Sequence, residues 1–103
     1  MSYKALWTNS AIKTAEDVVN YLRKEWTNKE VDNFLNKTDN IIATIESNPK
    51  LFIASTKRPN VHLALIYRRT FLVYKIYSQK RHIVLLLFWG LNKILKNLNI
   101  NFL

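Results

Sequence analysis

Four side chains in the second half of the sequence could transfer protons or hold a phosphate group. His62 and His82 can exchange a proton near neutral pH, because the usual pKa of an imidazole is about 6.5. Tyr77 offers a phenol, and Arg69 offers a guanidinium that could stabilise the charge of a phosphate under attack. These four residues are the candidates for a catalytic site, although a lone histidine on a strand is more often packed or solvated.

The sequence lacks the residues that most other catalytic sites need. It contains no cysteine, two histidines and a single glycine, Gly90. This excludes disulfides, thiolate metal sites and glycine-rich phosphate loops, and it argues against zinc. Paired carboxylates and a Ser/His/Asp set are also missing. We therefore expect no metal and no cofactor, and a stand-alone metabolic enzyme is disfavoured.

Charge is divided unevenly along the chain. The first 46 residues contain six basic and seven acidic residues, whereas residues 47–103 contain ten basic residues and no carboxylate side chain. A segment with only positive charge attracts polyanions or an acidic protein segment. The candidate contacts for such a partner are basic and aromatic residues of the second half: Lys57, Arg58, Arg69, Phe71, Lys75, Tyr77 and Arg81.

A short strand and two helices are predicted for the first half. Residues 3–7 alternate, and apolar residues then recur at helical spacing over 11–26 and again over 31–45, before Asn48-Pro49 ends the second helix. Residues 8–10 offer several N-caps for the first helix. Thr27 and Glu30 match a capping box for the second. The short connection predicts an antiparallel helix hairpin.

Extended structure is predicted after Pro49. Residues 51–54 could form a strand, and 55–60 resemble a basic loop. The runs 61–67, 71–77 and 82–88 are rich in β-branched, aromatic and aliphatic residues and are separated by brief polar turns, which predicts an antiparallel meander. The last run shows no alternation, as expected for a strand that is covered on both sides or that lies at the centre of the sheet.

The middle run of the meander predicts how the layers stack. Leu72, Tyr74 and Ile76 share the face that the helix hairpin would cover, and Lys75 marks the opposite face, with Phe71, Val73 and Tyr77, as the open one. The fold class is therefore α+β, with an N-terminal strand, an α-helical hairpin packed on one face of a mostly antiparallel sheet, and a C-terminal three-strand meander. We expect a single domain over residues 1–103, without a signal peptide or membrane span, in the cytoplasm.

The order and spacing of these segments resemble the RelE/ParE toxin superfamily, which includes plasmid stabilisation proteins. The resemblance covers residues 3–89. Its markers are Trp7 at the end of the first strand, Tyr21-Leu22 in the first helix, the segment 41–49 (IIATIESNP), the segment 71–76 (FLVYKI) and the segment 83–89 (IVLLLFW). No single marker is specific, and their order carries the resemblance.

The resemblance implies a bacterial toxin that is neutralised by a small antitoxin with an extended tail. Some relatives cut mRNA on the ribosome, and others poison DNA gyrase. Nuclease members have an arginine at the position of Phe71 and often one at the position of His62. Phenylalanine can neither stabilise a phosphorane-like charge nor move a proton, and Arg69 could substitute only by bending inward. These departures favour the non-nuclease branch.

The tail also departs from the family. Relatives often end in Gln-Asn-Pro-Lys-Lys, and A/T-rich codons for residues 90–97 recover this ending in another reading frame. We hypothesise a one-base or two-base indel near the Gly90 codon, which would make residues 90–103 atypical. The apolar residues of the new tail recur at helical spacing, so that it could pack on the nearest bare surface or on another subunit: Leu91, Ile94, Leu95 and Leu98.

Three functions stay open from the sequence. The first is a ParE-like toxin that binds a target such as DNA gyrase. The second is a RelE-like, ribosome-dependent mRNA endoribonuclease in which His62, Tyr77 or His82 handles protons. The third is a nucleic-acid-binding module with stacking aromatic residues. An inactive relative and a homodimer are also compatible with the sequence.

Overall fold

The computed structural model describes residues 3–67 and 69–90. The chain begins with a strand, continues with two helices and ends in a run of strands, so that the predicted α+β fold class is confirmed. The elements are β1 (Lys4–Trp7), α1 (Asn9–Glu25), α2 (Asn28–Ser47), β2 (Ile53–Ala54), β3 (Val61–Tyr67), β4 (Thr70–Tyr77) and β5 (His82–Gly90).

The five strands form one sheet in the order β1-β5-β4-β3-β2. β1 is parallel to β5, and all other neighbours are antiparallel, which confirms the predicted meander of β3, β4 and β5. β5 lies between β1 and β4, as its lack of alternation predicted. A β-bulge is a second cause of the missing alternation in β5. Val73 pairs with Leu87 and Tyr74 with Leu85, which leaves Leu86 as the extra residue.

The main core lies between the helix hairpin and one face of the sheet. Phe34 of α2 and Leu72 and Tyr74 of β4 are almost completely buried there. The Tyr74 hydroxyl donates a hydrogen bond of 2.7 Å to the Pro49 carbonyl, which satisfies the only polar atom of that side chain. Phe34 also contacts Phe88 edge-to-face, with ring centroids 5.8 Å apart.

The two helices start differently. Thr8 is the N-cap of α1, and its Oγ1 accepts a hydrogen bond of 3.0 Å from the Ala11 N–H. The same hydroxyl donates to the Leu85 carbonyl at 2.8 Å, which ties the start of α1 to the bulge in β5. The predicted capping box of α2 is wrong: the Thr27 side chain makes no capping hydrogen bond, and the Glu30 carboxylate accepts a hydrogen bond from Tyr67 of β3.

The two edges of the sheet are also different. β2 is shorter than the predicted strand over residues 51–54, because the chain is still in a turn in which the Leu51 N–H bonds the Asn48 carbonyl at 3.2 Å. Both residues of β2 are exposed. At the other edge, the Glu46 carboxylate accepts a hydrogen bond of 2.8 Å from the Ala5 N–H of β1. Neither described helix combines the length and the apolar character of a membrane span.

Candidate functional site

The outer face of the sheet, opposite the helices, carries four of the nine residues proposed from the sequence: Phe71, Lys75, Tyr77 and His82. Phe71, Val73, Lys75 and Tyr77 share this face, as predicted, because the alternate residues of β4 belong to the helix-side core. At its centre lies an apolar patch contributed by three strands: Val61, Leu63, Phe71, Val73, Leu86 and Leu87.

The outer face is exposed toward both ends of β4 and buried between them. Leu65, the cross-strand partner of Phe71, is 55% exposed. Tyr77 is 42% exposed, whereas Val73 at the centre is 1% exposed and Val61 and Leu63 are also buried. The expectation of an open face is therefore correct near Tyr77 and wrong at the apolar patch. Both described helices pack on the opposite face, so they do not bury this patch.

Basic and titratable groups meet at the Tyr77 end of the outer face. The Lys75 Nζ lies 5.2 Å from the centroid of the Tyr77 ring. Tyr77 is the cross-strand partner of His82, and His82 is in turn the partner of Lys4. Directly paired residues project from the same side of a sheet with Cβ atoms about 5 Å apart. We call Lys4, Lys75, Tyr77 and His82 the basic end.

The loop before β3 reaches the same end of the sheet. Its Ser55 hydroxyl accepts hydrogen bonds from the backbone N–H groups of Lys57 and Arg58, at 3.2 and 3.0 Å. The loop then enters β3 at Val61, the cross-strand partner of Lys75. Lys57 and Arg58 are therefore at the same end of the sheet as the basic end.

Arg81 is at this end of the sheet but contacts a different side chain. Its guanidinium carbon lies 5.7 Å from the centroid of the Tyr3 ring, and Tyr3 packs against the helix-side core. The Arg81 carbonyl accepts a hydrogen bond of 3.0 Å from the Lys4 N–H. The Arg81 backbone thus holds the start of β1 at Lys4, a member of the basic end.

Charge separates the two layers of the molecule. All seven acidic residues lie on α1 or α2. The strands and loops within residues 3–67 and 69–90 contain no carboxylate side chain and eight basic residues: Lys4, Lys50, Lys57, Arg58, Arg69, Lys75, Lys80 and Arg81. The uneven charge of the sequence therefore becomes a positive sheet layer against a mixed helix layer.

His62 lies on the other side of the sheet from the basic end. It pairs with Tyr74, and the two rings stack with centroids 5.6 Å apart. Burial lowers the pKa of His62, the charge of Lys50 lowers it further, and the nearby Asn60 backbone opposes both effects. His62 is therefore a packed, neutral residue of the helix-side core.

Arg69 is separated from the other candidates along the length of the sheet. It lies in the turn between β3 and β4 with φ of 64°, and the Thr70 that follows it pairs with Gly90. At about 3.4 Å per residue, Arg69 is about 25 Å from Tyr77 at the opposite end of β4. The structure brings Tyr77 and His82 together and leaves His62 and Arg69 apart from them.

Three solved structures share this architecture. A chain of the chromosomal ParDE toxin–antitoxin system from P. aeruginosa matches with a TM-score of 0.69 and 9% identity, over 84% of this chain and 94% of that one. The RelBE2 toxin–antitoxin complex from Mycobacterium tuberculosis gives 0.62 and 12%, over 87% and 99%. The free E. coli toxin RelE, with two arginines replaced by alanine, gives 0.63 and 12%, over 90% and 87%.

These matches decide the fold. The chain has the RelE/ParE toxin fold. Neither protein-family models nor curated proteins match the sequence. The expected resemblance is thus confirmed at the level of three-dimensional structure. The tail predicted to be atypical, from residue 91 onward, lies outside the described residues.

The RelE/ParE fold of this chain also has a groove that the sequence did not reveal. It has a volume of about 500 Å³ and is lined by residues of α1, by Leu35 of α2 and by Trp7 of β1. Ile12 and Leu35 line it and are each 46% exposed. The sequence feature that could have indicated this groove is Ile12, an apolar residue that lies outside the predicted core stripe of α1.

Proposed function

We propose that this chain is the toxin of a type II toxin–antitoxin module, which binds a protein target such as DNA gyrase and is neutralised by a small antitoxin. The observation that carries the proposal is the fold, because the similar structures cover 84–90% of the chain and all three are toxins or toxin–antitoxin assemblies. We place the protein in the bacterial cytoplasm, where such a target is found.

The arrangement of the candidate residues favours binding over cleavage. Phe71 occupies the position at which nuclease relatives have an arginine, and it packs in the apolar patch. His62 faces the helix-side core, and Arg69 is at the far end of β4. A phosphate at the basic end would therefore contact neither His62 nor Arg69.

The proposed contact surface for target or antitoxin is the basic end with the neighbouring loop. Tyr77 offers an exposed ring of the kind that dominates protein interfaces, and the Lys75 ammonium lies over it. Lys4 pairs with the neighbouring His82, and Lys57 and Arg58 lie in the loop that enters β3 at the same end of the sheet. The partner that fits this chemistry is an acidic protein segment. Such a segment would bind faster at low ionic strength, because the attraction between exposed charges is screened by salt.

Expression in bacterial cells tests the proposal. The chain is induced with and without the adjacent small gene, and growth, DNA supercoiling and mRNA integrity are followed in parallel. Growth arrest that the small gene relieves, with inhibited supercoiling and intact mRNA, is the expected result. A folded protein with no effect on growth would contradict the proposal and would indicate an inactive relative.

A matched pair of variants locates the contact surface. The double substitution Lys4→Ala and Lys75→Ala removes two positive charges from the basic end, whereas Lys24→Ala with Lys37→Ala removes two from the exposed surface of the helices. We expect the first variant to relieve growth arrest at least tenfold and the second to leave it unchanged. Equal relief by both would show that only net charge matters.

One observation favours the nuclease alternative. Tyr77 and His82 are direct cross-strand partners, so a phenol and an imidazole lie close enough to share a proton-transfer step. In this case mRNA would be cut during translation, and His82→Ala would abolish the cuts while supercoiling stayed normal. Intact mRNA in arrested cells would exclude this alternative.

A further inference from the structure

The groove beside Ile12 combines exposed apolar side chains with two opposite charges. Trp7 is 44% exposed, and Ile12 and Leu35 are each 46% exposed. Glu16 and Arg23 of α1 line the same groove, and both are exposed. Large apolar side chains that are scattered singly need no partner, whereas several around one groove are typical of a protein interaction site.

The groove side of α1 has the residue spacing of a helix–helix interface. Five residues follow one another at steps of four, three, four and three: Ile12, Glu16, Val19, Arg23 and Trp26. This spacing keeps one side of a helix against a second helix over several turns. Trp26, directly after the last residue of α1, is 48% exposed. A helix that packs on these five residues has to match both their apolar and their charged members.

The five residues are complementary to themselves in the antiparallel direction. Val19 is at the middle, with Glu16 three residues before it and Arg23 four residues after it. When two copies of α1 run antiparallel about Val19, Glu16 of each copy lies next to Arg23 of the other copy. Ile12 then lies next to Trp26 of the other copy. We propose that a second copy of this chain occupies the groove, with the two α1 helices packed antiparallel about a twofold axis near Val19.

The distribution of charge favours a second copy at α1 over other occupants and other faces. α1 has no net charge, because three basic residues balance three acidic ones: Lys13, Arg23 and Lys24, and Glu16, Asp17 and Glu25. Two copies that meet through the sheet layer would repel each other, since the described strands and loops carry eight basic residues and no carboxylate side chain. A groove with both signs of charge also gives no preference to an acidic protein segment.

A twofold contact of this kind forms a closed pair. Each copy contributes the same surface, and the contact is made twice. α1 has 17 residues and is about 25 Å long at about 1.5 Å per residue, so the two helices can contact each other over several turns. The outer face of the sheet and its basic end lie on the other layer and stay accessible in the pair. The inference goes beyond the proposed toxin role and does not depend on it.

Charge reversal tests the pairing in the purified full-length chain. Glu16→Arg places two cations at each of the two contacts, and Arg23→Glu places two anions there. We therefore expect each single variant to dissociate at least tenfold more readily than the unmodified dimer. The double variant restores complementary charges, and an equimolar mixture of the two single variants has complementary charges at both contacts. We expect the double variant to form a homodimer and the mixture to form a heterodimer, as measured by analytical ultracentrifugation over a range of concentrations.

Reversals outside the groove are the matched controls. Lys24→Glu and Glu25→Arg change the same charges on exposed neighbouring positions of α1, so the dimer should dissociate as in the unmodified chain. Circular dichroism verifies that each variant is folded. An unmodified chain that is monomeric at every concentration would overturn the proposal and leave the groove to a different protein, such as the antitoxin. Single variants that still form homodimers, or a mixture that fails to pair, would overturn it as well.

A disulfide gives a second readout without a change of charge. The chain contains no cysteine, so Asn20→Cys introduces a single thiol into the groove beside the proposed axis. Asn40→Cys, at an exposed position of α2 outside the groove, is the matched control. With a mild oxidant, we expect Asn20→Cys to form a disulfide-linked dimer several times faster than the control. Equal rates would contradict the proposed axis, and neither assay requires a target or an antitoxin.

Discussion

On β4, the side chains that face the helices and those on the outer face differ in what surrounds them. Leu72 and Tyr74 are completely buried between the sheet and the helix hairpin. On the outer face, Tyr77 is 42% exposed and carries Lys75 above its ring. Alternate residues of one strand thus hold the fold together, and the others belong to the proposed binding surface, so substitutions can separate stability from the proposed function.

The largest expected effect is on the helix-facing side. Tyr74→Ala removes a buried ring and should lower the free energy of unfolding by about 3–5 kcal/mol. Tyr77→Ala on the same strand is the control and should change it by less than about 1 kcal/mol. Urea unfolding followed by circular dichroism measures both. Equal losses would show that the two faces are not distinct in energy.

A milder variant keeps the comparison testable if Tyr74→Ala does not fold. Tyr74→Phe retains the ring and removes only the hydrogen bond to the Pro49 carbonyl. We expect a loss of about 1–2 kcal/mol, because that carbonyl is left without its buried donor.

The next largest effect is expected at the β-bulge of β5, next to Leu85. The Thr8 hydroxyl bonds the Leu85 carbonyl there and also caps α1. Thr8→Ala should therefore cost about 1–2 kcal/mol of unfolding free energy. Thr27→Ala, at a cap without a side-chain hydrogen bond, is the matched control and should cost less than about 0.5 kcal/mol. A larger loss from the control would mean that tertiary contacts, not capping, decide these positions.

The smallest effect tests the histidine on the helix-facing side of β3. The pKa of His62 is lowered by burial, so the folded state disfavours the proton that the unfolded chain accepts. Stability should fall as the pH drops below about 6.5, the usual pKa of histidine. His62→Phe, which keeps a ring against Tyr74, should show a shallower loss between pH 7.5 and 5.5 in urea titrations. An unchanged slope would show that His62 takes up its proton equally in both states.

Local pattern predicted most of the fold. The apolar stripes predicted both helices, because burial on one side imposes a period on the sequence. The composition of three apolar runs and the polar turns between them predicted β3, β4 and β5. The capping box predicted for Thr27 and Glu30 is wrong because Glu30 accepts a hydrogen bond from Tyr67, 37 residues away. A local sequence pattern cannot indicate such a distant partner. The strand predicted over residues 51–54 is two residues too long, because the chain at residues 51 and 52 is still in the turn that follows Pro49.

The candidate site was predictable in composition but not in arrangement. Alternation placed Lys75 and Tyr77 on one face. The pairing of Tyr77 with His82 depends on the register set by the turn over residues 78–81, which the sequence does not specify. The groove beside Ile12 was missed for a similar reason, because it exists only where two helices and β1 converge.

The Glu46 carboxylate has a consequence for self-association. It accepts a hydrogen bond from the outward Ala5 N–H of β1, and the Glu46 carbonyl accepts one of 2.8 Å from the Tyr3 N–H. Two backbone donors at this edge of the sheet are therefore not available to an incoming strand. β2 is the accessible edge of the sheet. Two molecules that pair through β2 bury the accessible edge of each, so that growth stops at a closed pair and does not continue into a fibril.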